Sequence, residues 1–332
     1  METRKVQVTG GSTYTVSLPK EWATDNDVSA GSVVEFYSEE DILLLSPQQE
    51  NDRERGTLSI DGLDDDQLTR AVMTMYVSGF DVITFEAARV TASQRRTMRE
   101  ATQGLVGLEV IEETGDRVVL QDLLDSSELS VHNAITRMRL VAMTMLSDAV
   151  TALVEDDDEL AHDVMERDDD VDRLWYMVSR VFRTVLRNPS AATDIGLPRE
   201  TVFDYQSSAR QLERIADHAT KIAGTALEVG EVDEEVVAGL QDLQAAAENV
   251  PETAMDALLT DDPDEAVDLA TDARAELPAI DARAREVGDV IRDLEDLQLA
   301  QSLALVVDSL SRTADYGGNI AESALQKAAP SP

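Results

Sequence analysis

The residues best suited to chemistry are two pairs of carboxylates at helical spacing. Asp168 and Asp172 lie four residues apart in one predicted helix, and Glu213 and Asp217 have the same spacing in the next. Side chains four apart share one face of a helix, and antiparallel neighbours could bring the four carboxylates together. Because converging carboxylates repel each other unless a cation lies among them, the pattern predicts an oxygen-ligand site for Fe, Mn, Mg or Ca. His218 could add a nitrogen ligand.

Acidic pairs at this spacing also arise by chance, because the chain has 67 Asp and Glu among 332 residues. A solvated helix face is therefore the alternative interpretation of any single pair. The sequence around the second pair gives it more weight, since LERIADHATKIAG at 212–224 returns as LSRTADYGGNIAE at 310–322. Two copies that align without a gap indicate an internal duplication.

The second copy keeps only part of the acidic set. Asp281 and Asp315 stand at two of the four corresponding positions, whereas Leu277 and Ser311 occupy the other two. The sequence therefore predicts a weaker metal site in the second half than in the first.

Helical periodicity predicts how these residues are positioned. In the first copy, apolar residues at spacings of three and four predict one buried stripe, made of Leu212, Ile215, Ala216, Ala219 and Ile222. The same periodicity predicts long helices at 127–154, 158–186, 198–230, 233–259, 264–291 and 294–327, with Ser127 as the first N-cap. Their short connections favour two antiparallel three-helix bundles, at 127–230 and 233–327.

The duplicated helix, of the type R-x-x-E-R-x-x-D-H-x-x-x-I-A, resembles the PhoU family of phosphate-uptake regulators over roughly residues 127–326. This resemblance implies metal clusters on E-x-x-x-D faces, which agrees with the carboxylate pairs. It also implies a role in phosphate signalling. The partners that it implies are the cytoplasmic subunits of a phosphate ABC transporter or a phosphate-signalling sensor.

The first 47 residues alternate apolar and polar side chains and predict a small all-β domain of four short strands. TGGSTYTVSLPKEW followed by AGSVVEF is similar to the AbrB-type swapped-hairpin DNA-binding domain. The resemblance implies phosphate contacts from Arg4, Lys5 and Lys20, and two of the four lysines of the chain lie in this stretch. A module of this size has little core, so we expect it to pair with a second copy. A β module that serves only to dimerise is the alternative.

Residues 53–124 predict a small α/β domain with the order β-α-β-α-β-β. It contains neither a phosphate-binding glycine loop nor a nucleophile beside a base, so we expect a regulatory or spacer role. Elsewhere, only Glu159 and His162 form the Glu-x-x-His pair of di-iron oxidases, which use two such pairs. The sequence therefore favours a protein that is not an enzyme.

The acidic excess is global, with 28 basic residues and a net charge of −39. Acidic residues spread through well-patterned helices are typical of proteins that work in concentrated salt, where the Debye length falls to ~3 Å at 1 M. We therefore expect a halophilic source. The chain has no cysteine, no apolar run long enough to span a bilayer and no signal-peptide core, so we expect a soluble cytoplasmic protein.

These observations predict a mainly α protein with a duplicated PhoU-like region, preceded by a swapped-hairpin-like β domain and a small α/β domain. The function that the two resemblances imply is regulation of phosphate uptake and homeostasis, with a metal-binding helical sensor and a DNA-binding N-terminus that acts on transcription. The alternative is an interaction protein that modulates a phosphate ABC transporter without binding DNA and uses the β domain to form a homodimer.

Overall fold

The computed structural model describes residues 3–39, 42–48, 53–124 and 130–330. The chain divides into two compact units, Met1–Arg53 and Glu54–Pro332. In the described part of the chain, no helix is both long enough and apolar enough to cross a membrane. The fold is mainly α, as the sequence predicts.

The first unit consists of two antiparallel hairpins and a short helix. Strands β1 (Gln7–Thr9) and β2 (Thr13–Thr15) pair across a turn in which Gly10 and Gly11 have φ of 67° and 82°. Helix α1 (Lys20–Asp25) leads to strands β3 (Val34–Glu39) and β4 (Ile42–Pro47), which also pair with each other. None of its described residues is buried. The exposed apolar side chains are Val6, Val8, Tyr14, Val16, Val33, Phe36, Ile42 and Leu43.

The second unit begins with the α/β domain, whose element order agrees with the prediction. Its elements are β5 (Arg55–Ser59), α2 (Asp65–Val77), β6 (Val82–Glu86), α3 (Ala92–Gln103), β7 (Leu108–Glu113) and β8 (Arg117–Asp122). The sheet has the order β5-β6-β8-β7, in which only β5 and β6 are parallel. Reciprocal capping boxes start both helices, with Asp64 and Gln67 before α2 and Thr91 and Gln94 before α3. The domain has its own apolar core.

Long helices form the rest of the second unit. They are α4 (Val131–Glu155), α5 (Asp158–Arg187), α6 (Pro189–Ile195), α7 (Arg199–Ala226), α8 (Glu234–Leu259), α9 (Pro263–Ala275), α10 (Leu277–Arg292) and α11 (Leu297–Ala328). The short helix α6 is absent from the prediction, and Asn188 caps it by accepting a hydrogen bond from the backbone N–H of Ser190. The predicted first cap, Ser127, lies outside the described residues. Ser130 caps α4 by accepting from the backbone N–H of Asn133 at 3.1 Å.

The predicted single helix at 264–291 is wrong, because the chain forms α9 and α10 there. The helices meet at Glu276, and Pro278 lies in the first turn of α10. Proline has no backbone N–H and clashes with the preceding turn, so a helix that reaches it from the N-terminal side tends to end. Pro251 lies inside α8 without ending it, so the outcome depends on the surroundings as well as on the residue.

The two helical halves pack on one shared apolar core. Helix α7 packs against α4, α5 and α11, and α11 also packs against α8, α9 and α10. His218 of α7 and Tyr316 of α11 hold equivalent places in the two copies of the repeat, and their rings meet at a centroid distance of 5.6 Å. The repeated helices therefore pack with their corresponding faces together.

Arg180 of α5 joins the helical region to the α/β domain. Its guanidinium donates to the backbone oxygens of Tyr76 and Phe80 at 2.8 and 2.9 Å. It also forms ion pairs with Asp81 at 2.7 Å and Asp122 at 2.9 Å. The side chains of Arg180 and Asp122 are 6% and 5% exposed, so each depends on the other to compensate for the loss of water.

Replacing Arg180 with Met should lower the free energy of unfolding by about 3 kcal/mol, because Asp122 would stay buried without its cation. Urea denaturation followed by circular dichroism measures this. Arg183→Met is the matched control, since Arg183 is exposed on the same helix, and it should change stability by less than about 0.5 kcal/mol. The double variant Arg180→Met/Asp122→Asn should recover part of the loss. Equal effects of the two arginine substitutions would contradict the assigned role of Arg180.

Candidate functional site

The apolar stripe of α7 fixes the direction of its carboxylates. All five residues of the predicted stripe have 0% exposure and lie in the shared core, which confirms the prediction. Glu213 and Asp217 lie beside this stripe, on the side of α7 that packs against α5. Helix α5 contributes Asp168 and Asp172 to the same region. We call Asp168, Asp172, Glu213 and Asp217 the carboxylate face.

The four charges of the carboxylate face act on each other. Burial raises the pKa of Asp168, and the charge of Asp217 on the facing helix raises it further. Burial likewise raises the pKa of Asp172 to about 6, with contributions from the charges of Asp168 and Asp217. These mutual effects show that the predicted residues of the first half come together across α5 and α7.

Glu213 is a largely buried member of the carboxylate face, with a side chain that is 13% exposed. Burial raises its pKa to about 7, Arg210 opposes the shift, and the charges of Asp217 and Asp172 add to it. Its Oε1 accepts a hydrogen bond from Arg210 Nη1 at 3.0 Å. Its Oε2 is buried and has no hydrogen-bond partner among the described residues. A buried carboxylate oxygen without a donor is costly, so this atom is suited to a ligand that supplies positive charge.

Residues that the sequence analysis missed surround this face. The guanidinium of Arg210 lies over the ring of Trp175 at 5.2 Å. Tyr176 packs against the core of the α/β domain, and burial raises its pKa to about 12 with help from the charges of Asp172 and Glu213. The spacing of Tyr176 and Arg210 could have indicated them, because Tyr176 follows Asp172 by one helical turn and Arg210 precedes Glu213 by one.

The donor set of the carboxylate face fits a hard cation. Carboxylate oxygens are the ligands that Mg²⁺, Ca²⁺ and Mn²⁺ prefer, and the unpartnered Oε2 of Glu213 offers one such atom. Among the described His, Asp and Glu side chains, no three are already arranged at metal-binding distances. A cation would therefore be held by these carboxylates after side-chain adjustment.

His218 faces a different partner from the one considered in the sequence analysis. Its Nε2 lies 3.3 Å from the hydroxyl of Tyr316 on α11. Burial lowers the pKa of His218, and Lys221 lowers it further. This nitrogen takes part in the contact between the two repeats. Its position therefore gives no support to a role as a ligand at the carboxylate face.

The second half does not reproduce the carboxylate face. Asp281 is exposed, and Asp315 is 56% exposed and lies 3.5 Å from Arg312. Leu277 packs on the shared core, and a Cβ added to Gly318 would lie 3.0 Å from its Cδ1. Apolar contact therefore fills the region that corresponds to the acidic site of the first half.

The predicted DNA-binding residues lie in the first unit. Arg4 and Lys20 line one surface depression of about 430 Å³. Lys5 is exposed and is not part of its lining. Glu21 and Asp25 line the same depression and partly offset its positive charge.

A second buried carboxylate of α7 lies outside the carboxylate face. Asp204 is 6% exposed, and burial raises its pKa to about 6, with the charge of Glu200 adding to the shift and Lys327 opposing it. The neutral form is therefore favoured in the folded chain.

The fold and site together define a mainly helical protein with an internally duplicated core, a carboxylate face in its first half and an N-terminal unit of β hairpins. Residues 135–226 match the PhoU domain. Residues 7–53 match the family described as "Antidote-toxin recognition MazE, bacterial antitoxin". The chain thus contains a PhoU domain together with an N-terminal domain of the MazE/AbrB-like type.

Curated relatives and a solved structure agree with this assignment. The chain is 29% identical over 195 residues to a "Phosphate-specific transport system accessory protein PhoU homolog" of Pseudomonas putida, covering 56% of this chain and 75% of the relative. A protein of the same description from Pseudomonas aeruginosa is 27% identical, with coverages of 56% and 79%. The crystal structure of PhoU from Pseudomonas aeruginosa superposes with a TM-score of 0.52 at 23% identity, covering 60% of this chain and 96% of that one. At this identity, the similarity to the crystal structure supports the fold alone.

The substitution Asp204→Asn tests the raised pKa of this carboxyl. Between its unfolded pKa of 3.8 and its folded pKa of about 6, the folded chain holds a proton that the unfolded chain has lost. The free energy of unfolding of the unsubstituted protein therefore falls as pH rises through this window. Relative to it, Asp204→Asn should gain about 2 kcal/mol between pH 4 and pH 6.5, measured by urea denaturation. A difference that does not vary with pH would contradict the burial effect.

Proposed function

We propose that this protein regulates phosphate uptake, with the carboxylate face as a cation-binding sensor site. The PhoU domain and the names of the curated relatives support the phosphate role. The observation that carries the sensor site is Glu213 Oε2, a buried oxygen without a hydrogen-bond partner among the described residues, which lies within the influence of the charges of Asp172 and Asp217. On this proposal the protein works in the cytoplasm on subunits of a phosphate ABC transporter or on a phosphate-signalling sensor.

A bound cation, such as Mn, Mg, Ca or Fe, would supply positive charge that these residues lack. Asp168 and Asp172 would hold it from α5, and Glu213 and Asp217 from α7. Because the charges of these residues raise the pKa values of Asp168, Asp172 and Glu213, their neutralisation would favour the close packing of the two helices. The occupancy of the site would thus be linked to the stability of the α5–α7 contact.

Removing carboxylates from the first half should lower bound metal. We expect Asp172→Asn/Glu213→Gln to bind Mn²⁺ at least about tenfold more weakly than the unsubstituted protein, because each lost carboxylate removes a charged ligand. Asp281→Asn/Asp315→Asn, the corresponding change in the second half, should have little effect and is the matched control. Isothermal titration and elemental analysis measure both. If unsubstituted protein holds no metal after exposure to Fe, Mn and Mg, the carboxylate face is a solvated surface and not a metal site.

The N-terminal unit is proposed to bind DNA as a pair of hairpin modules. Its exposed apolar side chains, from Val6 to Leu43, need a partner surface, and a second copy of the unit offers a matching one. Arg4, Lys5 and Lys20 would then contact phosphates from both copies. The match to the MazE-type family supports this arrangement.

Replacing Arg4, Lys5 and Lys20 together with Ala should abolish the retention of promoter DNA by the full-length protein. Because the chain carries a net charge of −39, its distant carboxylates should repel DNA in dilute salt, and concentrated salt screens that repulsion. We therefore expect a shallow salt dependence instead of the usual steep loss of affinity. Gel retention measured from about 0.1 M to about 2 M salt gives the dependence of DNA affinity on salt. Retention that survives the triple substitution would place the DNA contact elsewhere.

A second candidate function is an interaction protein whose β unit serves only to dimerise. The observation that favours it is the presence of Glu21 and Asp25 beside Arg4 and Lys20 in the same depression. Sedimentation and DNA retention of the unsubstituted protein and of the triple Ala variant together separate the two candidates. A dimer that fails to bind DNA before and after substitution would support dimerisation as the role of the β unit.

A further inference from the structure

Arg210 lies at the entrance to the carboxylate face. Its side chain is 43% exposed, whereas that of Glu213, to which it donates a hydrogen bond, is 13% exposed. The guanidinium also lies over Trp175 of α5, so Arg210 bridges the two helices that carry the face. This cation is therefore close to the position where the proposed site would need positive charge.

We propose that Arg210 sets the cation affinity of the carboxylate face by competing with the bound cation for Glu213. The inference rests on the proposed function of this face. In the described arrangement the guanidinium supplies the charge that Glu213 needs, through Oε1. A cation that binds both oxygens of Glu213 would have to displace it.

Displacement is made easier by the ring of Trp175. The face of an aromatic ring attracts a guanidinium, so Arg210 keeps this contact after it leaves Glu213. Its planar group suits both partners, since it forms directed hydrogen bonds with carboxylates and stacks on rings. Arg210 makes both contacts in the described structure, and its contact with Trp175 does not require Glu213.

The second copy of the repeat lacks both members of this pair. In the gapless alignment, Asp308 stands where the first copy has Arg210, and Ser311 stands where it has Glu213. The half of the chain without the carboxylate face thus also lacks the competing arginine.

The test compares Mn²⁺ binding by unsubstituted protein and Arg210→Gln, measured by isothermal titration after chelator treatment. We expect the variant to bind Mn²⁺ about tenfold more tightly, the equivalent of one charge-assisted hydrogen bond that the cation need not displace. Arg214→Gln is the matched control. Arg214 is an exposed residue of the same helix whose charge also acts on Glu213, but its guanidinium lies over Tyr316.

The outcomes separate this inference from the proposed function. If the unsubstituted protein binds Mn²⁺ and Arg210→Gln binds it equally or more weakly, the competing role of Arg210 is contradicted. The proposed metal site then still stands. An equal gain in Arg214→Gln would show a general effect of charge and would also overturn it. If neither the unsubstituted protein nor Arg210→Gln binds Mn²⁺, both proposals fail. Circular dichroism establishes that each variant is folded.

Discussion

The burial of α7 on three sides is the constraint on which the helical region depends. Contacts with α4, α5 and α11 leave its apolar stripe fully buried and fix the rotation of the helix about its axis. Glu213 and Asp217 follow this stripe and therefore come to lie against α5. Apolar packing thus positions the acidic residues, and it holds the charge of Glu213 where water compensates it incompletely. The raised pKa of Glu213 is a consequence of this position.

The same repeat builds an acidic face in one half and a packed interface in the other. In α11, a Cβ at Gly317 would lie 2.5 Å from the backbone nitrogen of Pro251, so only glycine allows α8 to approach this closely. Gly318 gives similar room to Leu277, which replaces an aspartate of the first copy. At Gly318 and Leu277, an apolar contact fills the space that the first half gives to a carboxylate. The duplication therefore preserves the fold while the chemistry differs.

Periodicity in the sequence was sufficient to predict most of the helices and the stripe of α7, because apolar spacing reports directly which face is buried. The break between α9 and α10 was not predicted, since the effect of a proline depends on its surroundings, as Pro251 and Pro278 show. The four residues of the carboxylate face could be chosen from the four-residue spacing of their carboxylates and from the internal repeat. The contact between Trp175 and Arg210 was missed, because it depends on how α5 and α7 are rotated against each other, which no single-helix pattern contains.

One stripe of α5 connects the carboxylate face to the α/β domain. Asp172, Tyr176 and Arg180 follow each other at intervals of four residues, so their side chains lie along one side of the helix. Tyr176 packs against the core of the α/β domain and lies within the electrostatic influence of the carboxylates, while Arg180 binds that domain directly. A change of charge at the face therefore acts on the same rigid helix that carries the α/β domain. Helix α5 is thus a continuous physical connection between these two regions.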